Sequence, residues 1–197
     1  KFSYQKPILL GFNSDGNFTT KNDKATFQPG IGVVNRSMDK DNINQVVATI
    51  ETYDTLGRFV PKYNTYAFTA YNTLTAGDFS WYVEGAYKTK EAIKFSQIDN
   101  AIDSLINAAG NCFYTTLNYS HKGIGVTLQF KRTENFYLHT SPNPTEALFD
   151  GSMNFLPPVS RQNSLRLPAR YFSPSLENHE LAFGGEITYS PSRKMTF

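Results

Sequence analysis

The feature that most constrains this chain is a strict alternation of apolar and polar residues, because a period of two marks a strand whose two faces meet different surroundings. It is clearest in Phe79–Lys90, where Phe79, Trp81, Val83, Gly85 and Tyr87 take one face and Ser80, Tyr82, Glu84, Ala86 and Lys88 the other. Ile124–Lys131 repeats it, with Ile124, Val126, Leu128 and Phe130 opposing Gly125, Thr127, Gln129 and Lys131. Leu181–Tyr189 repeats it again, with Leu181, Phe183, Gly185, Ile187 and Tyr189 opposing Ala182, Gly184, Glu186 and Thr188. Phe113–Ser120, Tyr66–Leu74 and Val46–Tyr53 are softer versions, and Tyr4–Phe12, Ala25–Asn35, Gly151–Leu156 and Asn163–Phe172 are weaker ones. The alternation therefore predicts about ten strands.

Strand length and the connections narrow the class. The clearest strands run about ten residues, close to the ~9–11 a tilted membrane-spanning strand needs and longer than the ~5–6 usual in globular sheets. Thr75–Asp78, His121–Gly123, Pro157–Ser160 and Ser190–Arg193 read as tight turns, whereas Glu91–Asn111 and Glu134–Asp150 read as long connections. Short turns on one side and long loops on the other are the habit of outer-membrane barrels, and by that rule 91–111, 134–150 and 173–178 would face outside. Within the loop insertion 91–111, Ile98, Ile102, Leu105 and Ile106 stand at helical spacing, with Ser96 as a cap and Gly110 as a stop. That spacing predicts a short helix in a long loop.

Composition agrees and excludes little. The 197 residues are expected to form one β-domain, 1–197, or a segment of one. Aromatics reach 15%, with 16 Phe and 12 Tyr against one Trp, a balance that favours strands. A net charge of +2, from 19 basic and 17 acidic residues, gives no reason to expect nucleic acid as a partner. No stretch is long and apolar enough for a membrane helix, and the mean hydropathy of −0.42 is low. A barrel strand turns every second residue to a polar interior, so it keeps the average low while its outer face is apolar. Lys1–Tyr4 shows no signal-peptide pattern, as is also expected of a mature or trimmed chain.

Candidate chemistry is sparse. Cys112 is a lone cysteine and is read as a buried thiol. His121, His139 and His179 lack the paired spacing of a zinc site. Asn13–Asn17 resembles the start of a calcium loop, but Lys24 stands where the twelfth-position glutamate belongs. Pro29-Gly30-Ile31-Gly32 lacks the third glycine and the lysine of a phosphate loop and reads as a turn leading into a strand. No nucleophile elbow or Ser/His/Asp spacing occurs, so no catalytic residue, cofactor or metal is expected. Glu84, Lys88, Lys131 and Glu186 fall on the polar faces of their strands and are the candidates for lining a lumen, as pore charges or as ion pairs filling a closed barrel. Arg161, Arg166 and Arg170 cluster at a Pro-rich turn and strand as candidates for facing lipid or a partner. Tyr63, Tyr66, Tyr71, Tyr82, Tyr87, Tyr114, Tyr119 and Tyr189 suggest either stacking platforms or the interfacial girdles of a barrel, and the girdles explain them without a ligand.

Phe59-Val60-Pro61-Lys62, Trp81–Lys88 and Leu117–Val126 resemble a family of Bacteroidota outer-membrane proteins of unknown function. Met153–Pro157, Arg166–Tyr171 and Glu180–Pro191 extend the likeness over roughly the last two-thirds of the chain. The resemblance implies location and architecture, with further strands on both sides of this region, and brings no catalytic motif. The expected fold is thus an antiparallel up-and-down transmembrane β-barrel, of which these residues form an internal part. The expected function is that of a non-enzymatic outer-membrane protein, a channel or a structural subunit of a cell-surface complex, with lipid and other outer-membrane or surface proteins as partners. The alternative is a secreted, soluble β-sandwich that binds glycan.

Overall fold

The computed structural model describes residues 8–21, 24–38, 40–41, 43–44, 62–96, 103–136, 138–141, 150–152, 159 and 179–190. Ten strands run through them: β1 (Ile8–Asp15), β2 (Phe18–Thr19), β3 (Ala25–Ser37), β4 (Asn64–Ala76), β5 (Phe79–Ser96), β6 (Asp103–His121), β7 (Ile124–Glu134), β8 (His139–Ser141), β9 (Asp150–Ser152) and β10 (His179–Tyr189). Residues 40–41 and 43–44 are helical. Eight of the strands form one antiparallel sheet in the order β1-β3-β4-β5-β6-β7-β10, and β8 and β9 pair separately. β2 lies on the same side of β3 as β1, opposite Thr26 and Phe27, and so continues the line of β1 after an interruption at Gly16–Asn17. The sheet is up-and-down, and β1 with β2 and β10 form its edges.

The turns follow from residues that tolerate positive φ. β4 and β5 are joined by Gly77-Asp78, with Gly77 at φ 55° in the first central position, the geometry a tight II′ hairpin requires. β6 and β7 are joined by Lys122 (φ 42°) and Gly123 (φ 84°), both positive as in a I′ turn. Hydrogen bonds tie this end together: the Ser120 amide donates to the Asp78 carbonyl at 2.9 Å and the Ser190 amide to the Gly123 carbonyl at 2.7 Å. The other end carries the long connections, from β3 to β4 and from β7 to β10.

Register carries the alternation across the whole sheet. The row Phe12–Val33–Phe68–Tyr87 and the row Leu74–Trp81–Leu117–Leu128 each join residues directly opposite one another on neighbouring strands, all on one face. On that face Leu10, Phe12, Ile31, Leu181, Phe183 and Ile187 are largely exposed, Phe183 and Ile187 at 73% and 75%. Phe113, Phe130 and Phe183 form an aromatic column across β6, β7 and β10, with ring centroids 5.9 and 4.9 Å apart. Among the described residues the buried apolar ones are few, Met38, Ile43, Ala67, Phe136, Leu138 and Val159, and most belong to no strand of the main sheet.

Residues 91–96 and 103–111 depart from the expected helical loop, while Ile98 and Ile102 lie outside the described residues. β5 continues to Ser96 and β6 begins at Asp103, with Ser96 opposite Asp103 and Glu91 opposite Ala108, so the hairpin extends far past the expected end of the strand. Leu105 and Ile106, which fitted a helical stripe, lie in β6 opposite Lys94 and Ile93. Cross-strand pairing decided the conformation here, and the local spacing of apolar residues could not reveal it. Pro29–Gly32 is likewise no turn but the middle of β3, paired with Asn72 to Thr69 of β4. Of the softer expected strands Val46–Tyr53 lies outside the described residues, and of the weaker ones so do Asn163–Phe172, most of Gly151–Leu156 and the start of Tyr4–Phe12.

Candidate functional site

The face opposite the apolar one holds the buried charged side chains of the sheet and many of its hydroxyls. Thr65, Ala67, Thr69 and Tyr71 of β4 point to it, as do Tyr82, Glu84, Ala86 and Lys88 of β5, Cys112 and Tyr114 of β6, Lys131 and Thr133 of β7, and Glu180 of β10. A break in alternation adds one more. Between Lys88–Gly110 and Glu91–Ala108 two residues of β5 face a single residue of β6, a β-bulge. The extra residue reverses the parity of β5, so Lys88 and Glu91 share a face although they are three positions apart.

The bulge assembles a buried ion cluster. Arg36 donates from Nη2 to Glu91 Oε2 at 2.7 Å and to Thr65 Oγ1 at 2.8 Å, and Lys88 Nζ donates to Glu91 Oε1. Thr65 also donates to Glu91 Oε2 at 3.2 Å. Arg36 and Lys88 are 1% and 0% exposed, so this carboxylate binds two cations away from bulk water. Charges so placed persist only when paired and hydrogen-bonded. A second pair, Lys131 to Glu180 at 3.0 Å, joins β7 to β10, with Lys131 also fully buried.

Between these pairs lies a recess of about 530 Å³. The charged residue in its described lining is Glu84, which stands in a cross-strand row between Tyr71 of β4 and Tyr114 of β6. Glu84 accepts from Thr69 Oγ1 at 2.7 Å and from the Tyr82 hydroxyl at 2.6 Å. Gly30 faces Tyr71, and a Cβ there would collide with the tyrosine ring, so the missing side chain lets the ring lie over β3 while its hydroxyl donates to Asn13 Oδ1 at 3.2 Å. Ala67, Ala86, Cys112, Phe136 and Leu138 contribute to the apolar lining, and Phe12, Val33, Val34 and Phe68 also border the recess. Phe136 and Leu138 arrive just after β7, where Asn135 adopts φ 49°. Gly110 admits them: a Cβ on it would collide with the carbonyl oxygen of Asn135.

Of the residues singled out from sequence, Glu84, Lys88, Lys131 and Glu186 share this polar face, with Lys88 and Lys131 fully buried in ion pairs and Glu186 exposed. Arg161, Arg166 and Arg170 lie outside the described residues. Cys112 is half-buried beside the recess, its Sγ 3.9 Å from Thr133 Oγ1. His121 is the last residue of β6, its Nδ1 2.6 Å from Asp78 Oδ2. Among the described residues no group of three or more His, Cys, Asp or Glu could hold a metal ion. The tyrosines divide by face: Tyr66, Tyr87, Tyr119 and Tyr189 belong to the apolar side, and Tyr71, Tyr82 and Tyr114 to the polar one. A girdle cannot account for the second set. Sequence reading missed Arg36, Glu91 and Glu180. The parity of β3 and β10, carried one residue further, would have placed Arg36 and Glu180, whereas Glu91 is unreadable without the bulge.

These features define an all-β protein built on an antiparallel up-and-down sheet, apolar on one face and internally ion-paired on the other. The chain belongs to a family of unknown function (DUF6029), which it matches over residues 1–197. No curated protein and no solved structure matches it.

Proposed function

We propose that this chain forms β-barrel wall in the outer membrane of a Bacteroidota cell, as a non-enzymatic barrel with a filled interior that serves a cell-surface complex rather than as an open channel. The observation that carries the reading is the exposed apolar face. Along β10, Leu181 to Tyr189 spans about 27 Å at the antiparallel rise, comparable with the ~25 Å apolar band of outer-membrane barrels. Arg132 and Glu134, paired at 2.8 Å, enter this face at the end of β7 next to the long connection, where a membrane boundary would lie. A sandwich would press this face against a second sheet, yet Leu181, Phe183 and Ile187 are 64–75% exposed. The filled interior is supported by the buried ion pairs and by Phe136 and Leu138 over the recess. Hydrocarbon tolerates no unpaired strand edge, so in this reading both β1 and β10 are paired in the complete barrel.

Fractionation of native cells tests the reading. The protein is expected in the membrane fraction, resistant to high salt and alkaline carbonate and released by detergent. Release as a monodisperse species in detergent-free buffer contradicts it. Purified protein in a planar bilayer is expected to show no steady conductance, and a sustained single-channel current would restore the open-pore alternative.

A further inference from the structure

Glu84 is a partly buried carboxylate with no cation against it among the described residues: both oxygens are held by neutral hydroxyls, those of Thr69 and Tyr82. The nearest cation on its cross-strand row, Lys131, is bound to Glu180. A carboxylate accepts about four hydrogen bonds, so two donors leave acceptor capacity unused. Its surroundings are aromatic and aliphatic, with Tyr71 and Tyr114 on either side and Ala67, Phe136 and Leu138 lining the same recess. A negative charge in an apolar pocket is costly unless an opposite charge meets it, and aromatic rings attract cations. A volume of about 530 Å³ suits a small organic molecule, whereas one carboxylate is too few ligands for a divalent metal ion.

We propose that this recess binds an organic cation, an ammonium group on a short apolar body, with Glu84 as its counter-ion, Tyr71 and Tyr114 as its aromatic walls and Phe136 and Leu138 against its apolar part. Tyr82 and Thr69 orient the carboxylate. This deepens the reading of a filled barrel by naming what the recess holds. It depends only on the polar face, so its failure would leave the lipid-facing assignment untouched.

Calorimetric titration of the full chain folded in detergent tests it, with butylammonium, tetramethylammonium, butanol, butyrate and glucose as probes. The ammonium ions are expected to bind about tenfold or more tightly than butanol, as a charge-assisted contact implies, with butyrate and glucose weaker still. Glu84→Gln is expected to remove that advantage while leaving butanol binding unchanged, and Glu186→Gln on the same face to change neither. The ranking of the probes on the unmodified chain needs no variant to fold. No ammonium binding, butanol binding as tightly as butylammonium, or glucose preferred over both would each overturn the proposal, as would full ammonium affinity in a folded Glu84→Gln protein.

Discussion

The two faces of this sheet handle charge and hydrophobicity in opposite ways. Among the described residues, one face leaves Leu, Ile and Phe side chains exposed and has an ion pair at a strand end, whereas the other buries arginine and lysine around carboxylates. A water-soluble sheet does the reverse, burying apolar side chains and exposing charges. In the proposed membrane reading the inversion follows from reversed surroundings, with hydrocarbon on the apolar face and an enclosed, hydrated or self-paired interior on the polar one.

Substitutions on the two faces test this contrast. Glu91→Ala strips the carboxylate that Arg36 and Lys88 share, and is expected to cost about 3–5 kcal/mol of stability, as broken buried ion pairs do. Urea unfolding in micelles or vesicles measures it, and a near-neutral result would mean that this cluster is wet. Leu128→Arg, in the middle of β7 on the apolar face, is expected to cost about 2–4 kcal/mol in lipid vesicles. If that face met water, the same change would stay within about 0.5 kcal/mol, so this variant breaks the comparison most cleanly. Gly110→Val is expected to displace Asn135 and Phe136 from the polar face and to cost about 1–3 kcal/mol, with greater protease access after β7. Arg132→Ala removes an ion pair too, but an exposed one, and is expected to cost less than about 1 kcal/mol. The same chemistry should therefore weigh several-fold more on the polar face than on the apolar one.

Much of this contrast was legible in the sequence where alternation ran unbroken. Phe79–Lys88, Ile124–Lys131 and Leu181–Tyr189 are strands with the expected faces, and the turns at Gly77-Asp78 and Lys122-Gly123 fall where their residues demand them. The reading failed where conformation depended on distant partners. The helix expected over 96–109 rested on local spacing, whereas β6 was decided by a neighbouring strand that pairs with it as far as Ser96. Glu91 was hidden because a bulge reverses its face. The recess was hidden because Tyr71, Glu84 and Tyr114 meet only through the register of three strands, so the tyrosines read one by one looked alike.

Trp81, the single tryptophan, gives the central claim its most direct test. It lies on the apolar face near the tight-turn end of β5, 37% exposed, with its indole N–H donating to Thr115 Oγ1 at 2.8 Å. In the proposed reading an indole in that position lies in the interfacial belt of the bilayer. In vesicles, brominated lipids are expected to quench its fluorescence, more strongly with bromine near the headgroup than at the chain end, while aqueous iodide has little effect. Strong quenching by iodide with none from brominated lipids would contradict the assignment of this face to the membrane.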